Sequence, residues 1–446
     1  MNMTKWSFGY QLLKYSVGTI FRLFYRRIEA TGLENIPKKK PIIFAPNHQN
    51  ALMDPLVIIF TTDKQPVFLT RADIFSKPLL LKIFTFIKML PVYRMRDGAE
   101  SLKNNERIFE KSVEILEAKA SVGLFPEATH TDKRRLRPLK KAVPRIAFMA
   151  EERNDFELDL QIIPTGIYYE DYVHSNSKLF VNYGEAFTIT KFKDTFLENP
   201  QKGYAEFRED LAERMKKLII NINDIEHYSI YEQIRLFYRS TMKKRMNLKG
   251  TKLINSFKAD QQTIESAEKI FLNGDQNIEV FGNQYRRLEL GLRKKGFNIL
   301  DFESQCVGKT LASTIVLIIG LPVFIFGLLN GGIYYYFIMK FMRKIKDKQF
   351  HTSFKFGIVV VVIPILFLIH SLIFWAISGN GIWAIYFFIA AMFSAVLANK
   401  YRYLFKEVKK QWKVILLKWF KTKDYKGIMK TRQSLIEYLD GLFFPA

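Results

Sequence analysis

The sequence predicts an α/β domain over residues 31–200, with an interfacial helix before it and helical membrane hairpins at 306–400. Three observations carry this. From Thr31 to about Ile189, short apolar runs alternate with amphipathic stretches, the signature of strands interleaved with helices. Leu311 to Leu329 is almost free of charge and long enough to span hydrocarbon. The 446-residue chain carries a formal charge of +25 with 15% aromatic residues, a balance that suits a membrane surface better than nucleic acid.

The first segment, 1–30, reads as an amphipathic helix lying in the headgroup region. Leu13, Val17, Ile20, Phe21 and Phe24 share a face, Trp6 stands near the start, and Lys14, Arg22, Arg26 and Arg27 supply charge. An ordinary core-packing helix is the alternative. Charges inside this pattern argue against a signal peptide.

In the α/β segment, Ile42–Phe44, Pro66–Leu69, Leu90–Tyr93, Val122–Phe125, Ile162–Pro164 and Leu179–Val181 are the strand candidates. Helices are expected at 76–89, 99–119 and 139–153. Residues 201–305 read as charged, mostly helical and without chemistry of their own.

Within 306–400, Asn330-Gly331-Gly332 and Gly379-Asn380-Gly381 interrupt the apolar runs. Each is expected to break a hairpin, the first of them re-entrant. Arg343, Lys344, Lys346 and Lys348 lie between the two apolar blocks, and Lys400, Arg402, Lys406, Lys409 and Lys410 follow the last. The positive-inside rule puts both clusters, and so the active site, on the cytoplasmic side. The tail, 401–446, opens with a basic amphipathic helix carrying Phe405, Val408, Trp412, Ile415, Leu416 and Trp419 on one face, suited to an anionic lipid surface.

Cys306 is the only cysteine, which excludes an intrachain disulfide and a cysteine metal cluster. No histidine pair has zinc-ligand spacing, so no metal is expected.

The most informative stretch is Ala45 to Pro55. It places His48 and Asp54 six positions apart, between Pro46 and Pro55, after an apolar run. An imidazole held by a carboxylate can take a proton from a hydroxyl near neutral pH. A solvated loop histidine is the plain alternative. A continuous helix would rotate about 240° over six positions, so the pairing requires a loop or turn. Three later strand ends carry chemistry: Tyr93-Arg94-Met95-Arg96, Pro126-Glu127 and Pro164-Thr165-Gly166. Ligands of α/β sheets sit at the carboxyl ends of strands, so these groups can converge on one crevice.

Asn47-His48 with Asp54, then Pro91-Val92-Tyr93-Arg94, Phe125-Pro126-Glu127 and Ile163-Pro164, in that order, resemble the four sequence blocks of the glycerolipid acyltransferases. The resemblance covers residues 25–190. It implies an α/β core with a mixed sheet flanked by helices, and transfer of a fatty acyl group from acyl-CoA or acyl-carrier protein to a phosphorylated glycerol acceptor. It implies His48 as general base, Asp54 as its orienting carboxylate, Arg94 as a grip on the acceptor's phosphate, Glu127 at the acceptor site and Lys140 as a further contact. Arg96 either shares that grip or faces solvent. No cofactor is implied.

Two departures matter. Most of the family has four residues between histidine and aspartate, where this chain has five, as in a fungal glycerol-3-phosphate acyltransferase branch. In the third block, Ala128 stands in place of glycine and His130 in place of arginine. A left-handed backbone there would strain alanine. Lys133, Arg134 or Arg135 could replace the missing guanidinium. His130-Thr131-Asp132 is the rival histidine–carboxylate pair. Lysophosphatidate is the first acceptor expected, glycerol-3-phosphate or another amphipathic alcohol the second. A lipid-binding scaffold without catalysis is the alternative from another class.

Overall fold

A computed structural model describes residues 3–75, 77–93, 99–271, 277–303 and 305–445, with side chains over these ranges except 99–104. The chain forms two compact units. The first comprises Met1–Ile219 and Asp347–Phe356; the second comprises Ile220–Lys346 and Gly357–Ala446.

The first unit is built on a seven-stranded mixed sheet. Its strands are β1 (Arg27–Thr31), β2 (Ile42–Pro46), β3 (Val67–Arg71), β4 (Met89–Val92), β5 (Ser121–Gly123), β6 (Gln161–Tyr169) and β7 (Lys178–Tyr183), in the order β1-β7-β6-β2-β5-β3-β4. β6, β2, β5, β3 and β4 run parallel, and β7 pairs antiparallel with β6. Every residue of β2 is buried, as expected for a central strand covered on both faces. Ile43 and Ala45 join a core with Val113, Ile146 and Phe207, whereas Phe44 packs edge-on against Tyr183. Gly123 admits no side chain: a Cβ there would lie 2.3 Å from the Phe68 ring.

Seven helices surround the sheet: α1 (Phe8–Phe24), α2 (Met53–Thr61), α3 (Pro78–Phe86), α4 (Ala99–Glu117), α5 (Ala142–Glu152), α6 (Lys193–Glu198) and α7 (Pro200–Lys216). α1 buries Tyr10, Lys14, Gly18, Phe21 and Phe24, with Phe21 against Phe60 of α2. Trp6, Phe8, Leu12, Leu13 and Tyr15 remain exposed. The helix therefore has one face on the domain and a second apolar face outside it. It ends at Phe24 because Arg27–Thr31 pairs with β7, so part of the stretch read as helix is strand. α2 was not expected, although Asp54 lies in its first turn.

The second unit is helical: α8 (Tyr228–Arg245), α9 (Leu253–Phe271), α10 (Asn277–Lys294), α11 (Val307–Met342), α13 (Ile363–Ser378), α14 (Gly381–Phe420) and α15 (Thr422–Phe443), while α12 (His351–Gly357) belongs to the first unit up to Phe356. Buried Asp260 of α9 binds Arg235 at 2.5 Å and Arg239 at 2.7 Å, both on α8. Among the described residues, three helices are long and apolar enough to cross a membrane: Val307–Met342, Lys348–Ser378 and Gly381–Phe420.

The expected break at Asn330–Gly332 is absent, and α11 runs straight through it. Asn330 bonds its amide to the Phe326 carbonyl one turn back. One turn earlier in α11, Gly327 lets the helix approach α14, where a Cβ would lie 2.6 Å from the Ser394 carbonyl oxygen. Small residues in apolar helices serve such close packing. The second break holds: Gly379 is left-handed, and Asn380 caps α14 by accepting from Ile382 N and Trp383 N. α14 continues unbroken into the basic tail, so the division at 400 falls inside a helix.

Candidate active site

The His48–Asp54 stretch is a loop followed by a helix start. β2 ends at Pro46, and α2 begins at Met53. Between them Ala51 takes a positive φ of 27°. Pro55 falls in the first turn of α2, where its missing N–H costs nothing. This turn absorbs the extra residue and folds Asp54 back onto the loop. Nδ1 of His48 lies 2.7 Å from Oδ2 of Asp54. The same oxygen accepts from Gln49 N and Asn50 N, each at 2.8 Å. Oδ1 accepts from the Tyr169 hydroxyl at 2.7 Å. Asp54 is fully buried, and four donors satisfy its charge. Burial, then the Asp54 charge, holds the Tyr169 hydroxyl well above its ordinary range, so it stays a donor.

With Nδ1 given to Asp54, Nε2 of His48 is the nitrogen left for a substrate. Phe125 stacks on the His48 ring at 4.1 Å between centroids. The His130 ring meets it edge-on at 5.5 Å. Asn47 anchors the loop to β6: its side chain donates to the Ile167 carbonyl at 3.2 Å and accepts from Ile167 N at 2.6 Å.

Glu127 follows β5 and is buried. Its two carboxylate oxygens accept from His48 N at 2.8 Å and Arg137 N at 2.9 Å. Burial pushes its carboxyl up to about 7, against the pull of these two amides. Further bonds lace the third block to the histidine loop: Thr131 N donates to the His48 carbonyl, and Gln49 donates to that of Lys133. Ala128 has φ +59°, the left-handed backbone that suits the glycine usual at this position.

Arg94 and Arg96 lie outside the described residues. Tyr93, just before them, is held by the Asn105 side chain, which donates to its carbonyl at 2.8 Å and accepts from its N at 2.9 Å. Lys140 donates its main-chain N to the Pro126 carbonyl at 2.7 Å, and its side chain is exposed. Among the candidate substitutes for the missing guanidinium, Arg134 is buried, donating to the Tyr169 carbonyl at 2.8 Å and lying over the Tyr168 ring. His130 pairs not with nearby Asp132 but with Asp347, 3.5 Å away.

Sequence reasoning did not find Tyr169, Asn105, or the contribution of 347–356. Asn47 was quoted only as part of a block. Among these, Asn47 alone had a signal, standing next to His48.

Residues 27–168 match the family model described as Acyltransferase. The chain is 30% identical over 121 residues to 1-acyl-sn-glycerol-3-phosphate acyltransferase of Borreliella burgdorferi, covering 27% of this chain and 46% of that protein. It is 30% identical over 127 residues to the chloroplastic 1-acyl-sn-glycerol-3-phosphate acyltransferase LPAT1 of Arabidopsis thaliana, covering 28% and 33%. Another match runs longer: 341 residues at 22% identity to Glycerol-3-phosphate O-acyltransferase 2 of Saccharomyces cerevisiae, covering 68% and 44%. The chain thus spans less than half the length of these relatives. The crystal structure of the 1-acyl-sn-glycerophosphate (LPA) acyltransferase PlsC from Thermotoga maritima aligns at a TM-score of 0.35 and 17% identity, over 47% of this chain and 79% of that one. A likeness that slight says nothing about the chemistry.

Residues 27–168 are therefore an acyltransferase domain. This domain is similar to those of the glycerolipid acyltransferases.

Proposed function

We propose that the protein is a membrane-bound O-acyltransferase. It moves a fatty acyl group from acyl-CoA or acyl-carrier protein to the free hydroxyl of lysophosphatidate. The observation that carries this is the pairing of His48 Nδ1 with the buried Asp54 carboxylate at 2.7 Å, which leaves Nε2 to act as a base. Nε2 takes the proton from the acceptor hydroxyl as its oxygen attacks the thioester carbonyl. The C–O bond forms, the C–S bond breaks, and the thiolate leaves with the proton returned by His48. Asp54 stabilises the imidazolium in between. A positioned base of this kind contributes roughly 10²–10⁴-fold. No metal or cofactor enters this scheme.

In this reading Arg94, with Arg96, binds the acceptor's phosphate, because planar guanidinium groups match phosphate oxygens. Lys140 is a further anionic contact. Glu127 serves the acceptor site by holding the His48 and Arg137 backbones. The exposed apolar residues of α1 and the charge of +25 favour an anionic lipid surface, with no role for nucleic acid.

The active site faces the cytoplasm. Support comes from the basic run Arg343, Lys344, Lys346 and Lys348, since Asp347–Phe356 folds within the unit that holds His48.

A second reading, glycerol-3-phosphate as acceptor, is favoured by the yeast relative, whose alignment covers 68% of this chain against 27–28% for the other two. The test is an acceptor panel with purified protein in lipid nanodiscs, at fixed labelled acyl donor. Lysophosphatidate, glycerol-3-phosphate and an unphosphorylated monoacylglycerol are compared by initial rate. Preference for lysophosphatidate, abolished by His48→Ala, supports the first reading. Preference for the unphosphorylated alcohol removes the phosphate roles of Arg94 and Arg96. No transfer to any acceptor leaves a lipid-binding scaffold.

A further inference from the structure

Asp347–Phe356 follows the apolar helix Val307–Met342 and opens the second apolar span, Lys348–Ser378, yet it folds into the acyltransferase unit. A passive link between membrane helices would be exposed and polar. Here Thr352, Ser353 and Phe356 are buried. Ser353 accepts from Leu52 N at 3.2 Å, within the loop that joins His48 to Asp54. Thr352 donates to the Tyr172 carbonyl, which also accepts from Asn50 at 3.2 Å. Lys355 donates to the Val173 carbonyl at 3.1 Å. Phe356 packs edge-on against Phe21 and Phe24 of α1.

At the head of the segment, two side chains hold His130. An Asp347 carboxylate oxygen lies 3.5 Å from its Nε2. Phe350 meets its ring edge-on, 5.1 Å between centroids. His130 in turn stands edge-on to the His48 ring at 5.5 Å, and Phe125 stacks on that ring at 4.1 Å. The imidazole that needs a fixed direction is thus walled by one ring from the β5 loop and one that the inter-helix segment holds in place. We propose that Asp347 and Phe350 are positioning residues of the active site and act on His48 through His130. The proposal rests on His48 being the base. It makes a segment tethered at both ends to apolar helices part of the catalytic geometry, so that insertion of those helices and assembly of the site are coupled.

The test uses the full chain in nanodiscs and a double-mutant cycle. Asp347→Asn and Phe350→Ala are each expected to lower kcat about tenfold with KM within about twofold, since misplacement costs rate before binding. In a His130→Ala background the same changes are expected to cost nothing further. A second readout needs no activity. The chain has six histidines, so histidine-selective labelling gives a sparse NMR spectrum. Phe350→Ala is expected to move the ring signals of both His130 and His48, leaving those of His174, His227 and His370 in place. Costs that add in the cycle, or a His48 signal that stays put, overturn the inference. If wild-type protein transfers no acyl group to any acceptor, the functional reading fails and the NMR arm alone decides the positioning. If wild type is active and His48→Ala is not, while the Asp347 and Phe350 variants match wild type, only this inference falls.

Discussion

Tyr169 donates its hydroxyl to Oδ1 of Asp54 at 2.7 Å, the carboxylate oxygen that His48 does not use. With Oδ2 bound to His48 and two loop amides, neither oxygen can turn away. Tyr169→Phe removes one charge-assisted bond and keeps the ring. Such bonds contribute about 1.5–3 kcal/mol, so a lower melting temperature is expected, with kcat reduced roughly tenfold as Asp54 gains freedom to swing. Calorimetry and initial rates check it. Full activity in this variant would show that Tyr169 only fills space.

The His48–Asp54 pairing was legible because it is local. His48 and Asp54 lie six residues apart, a spacing that no continuous helix can close, and a loop joins them. The concern over Ala128 was legible too, since φ is a local property. Tyr169 was not, because it reaches Asp54 only through the β2–β6 register, and nothing around residue 169 marks it as a partner. Asp347 was more remote still: its contact with His130 joins residues far apart in sequence, across a stretch whose local signal is membrane helix. The glycines at 331 and 332 misled for the opposite reason. In a soluble loop they would break a helix, whereas in an apolar helix packed on another they do not.

Glu127 couples pH to loop order. Burial disfavours its ionised form and raises it from 4.5 to about 7. The folded state therefore holds a proton that the unfolded state has lost, and Glu127 withdraws stability as pH rises from about 4.5 through about 7. Activity moves the other way. Protonation weakens the bonds that Glu127 accepts from His48 N and Arg137 N, so kcat is expected to fall as pH drops through about 7. Glu127→Gln presents an NH₂ group to one of these amides. The expected result is a rate roughly tenfold lower or worse, with an acid limb less steep by one proton. A pH–rate profile of both proteins checks it.

Ala128→Gly should stabilise the fold. Alanine at φ +59° carries a left-handed penalty of roughly 1–2 kcal/mol, partly offset by the greater chain entropy of glycine, about 0.5–1 kcal/mol. A net gain of up to about 1.5 kcal/mol in denaturant unfolding is expected, with kcat unchanged because the side chain takes no part in the scheme.

In the second unit, Asp260 is fully buried between Arg235 and Arg239. Burial raises its carboxyl, but the Arg239 and Arg235 charges outweigh this and hold it below 3.8. Its contribution is therefore present above the unfolded value and lost as pH falls through the folded one. Asp260→Ala removes the buried carboxylate that both guanidinium groups share, with Glu232 still bound to Arg235, and breaking a buried pair of this kind costs about 3–5 kcal/mol. Unfolding midpoints at neutral pH check it, and acyl transfer by the folded fraction is expected to persist.

Connectivity constrains how the first apolar helix meets the membrane. The chain leaves the acyltransferase unit after Ile219 and re-enters it at Asp347, so both points lie on one side of the bilayer. Between them, among the described residues, Val307–Met342 is the one helix long and apolar enough to cross. A single crossing would put the two ends on opposite sides. The helix is therefore expected to enter and leave on the same face, lying along the interface or dipping into one leaflet, while the Gly379 turn joins a pair that crosses and returns. Cys306, the only cysteine, caps the start of α11 and is exposed. In sealed vesicles a membrane-impermeant maleimide should label Cys306 in the wild type and position 348 in Lys348→Cys with Cys306→Ser alike: both before permeabilisation, or both only after it. Labelling of one before and the other only after would show a true crossing and remove the same-side topology.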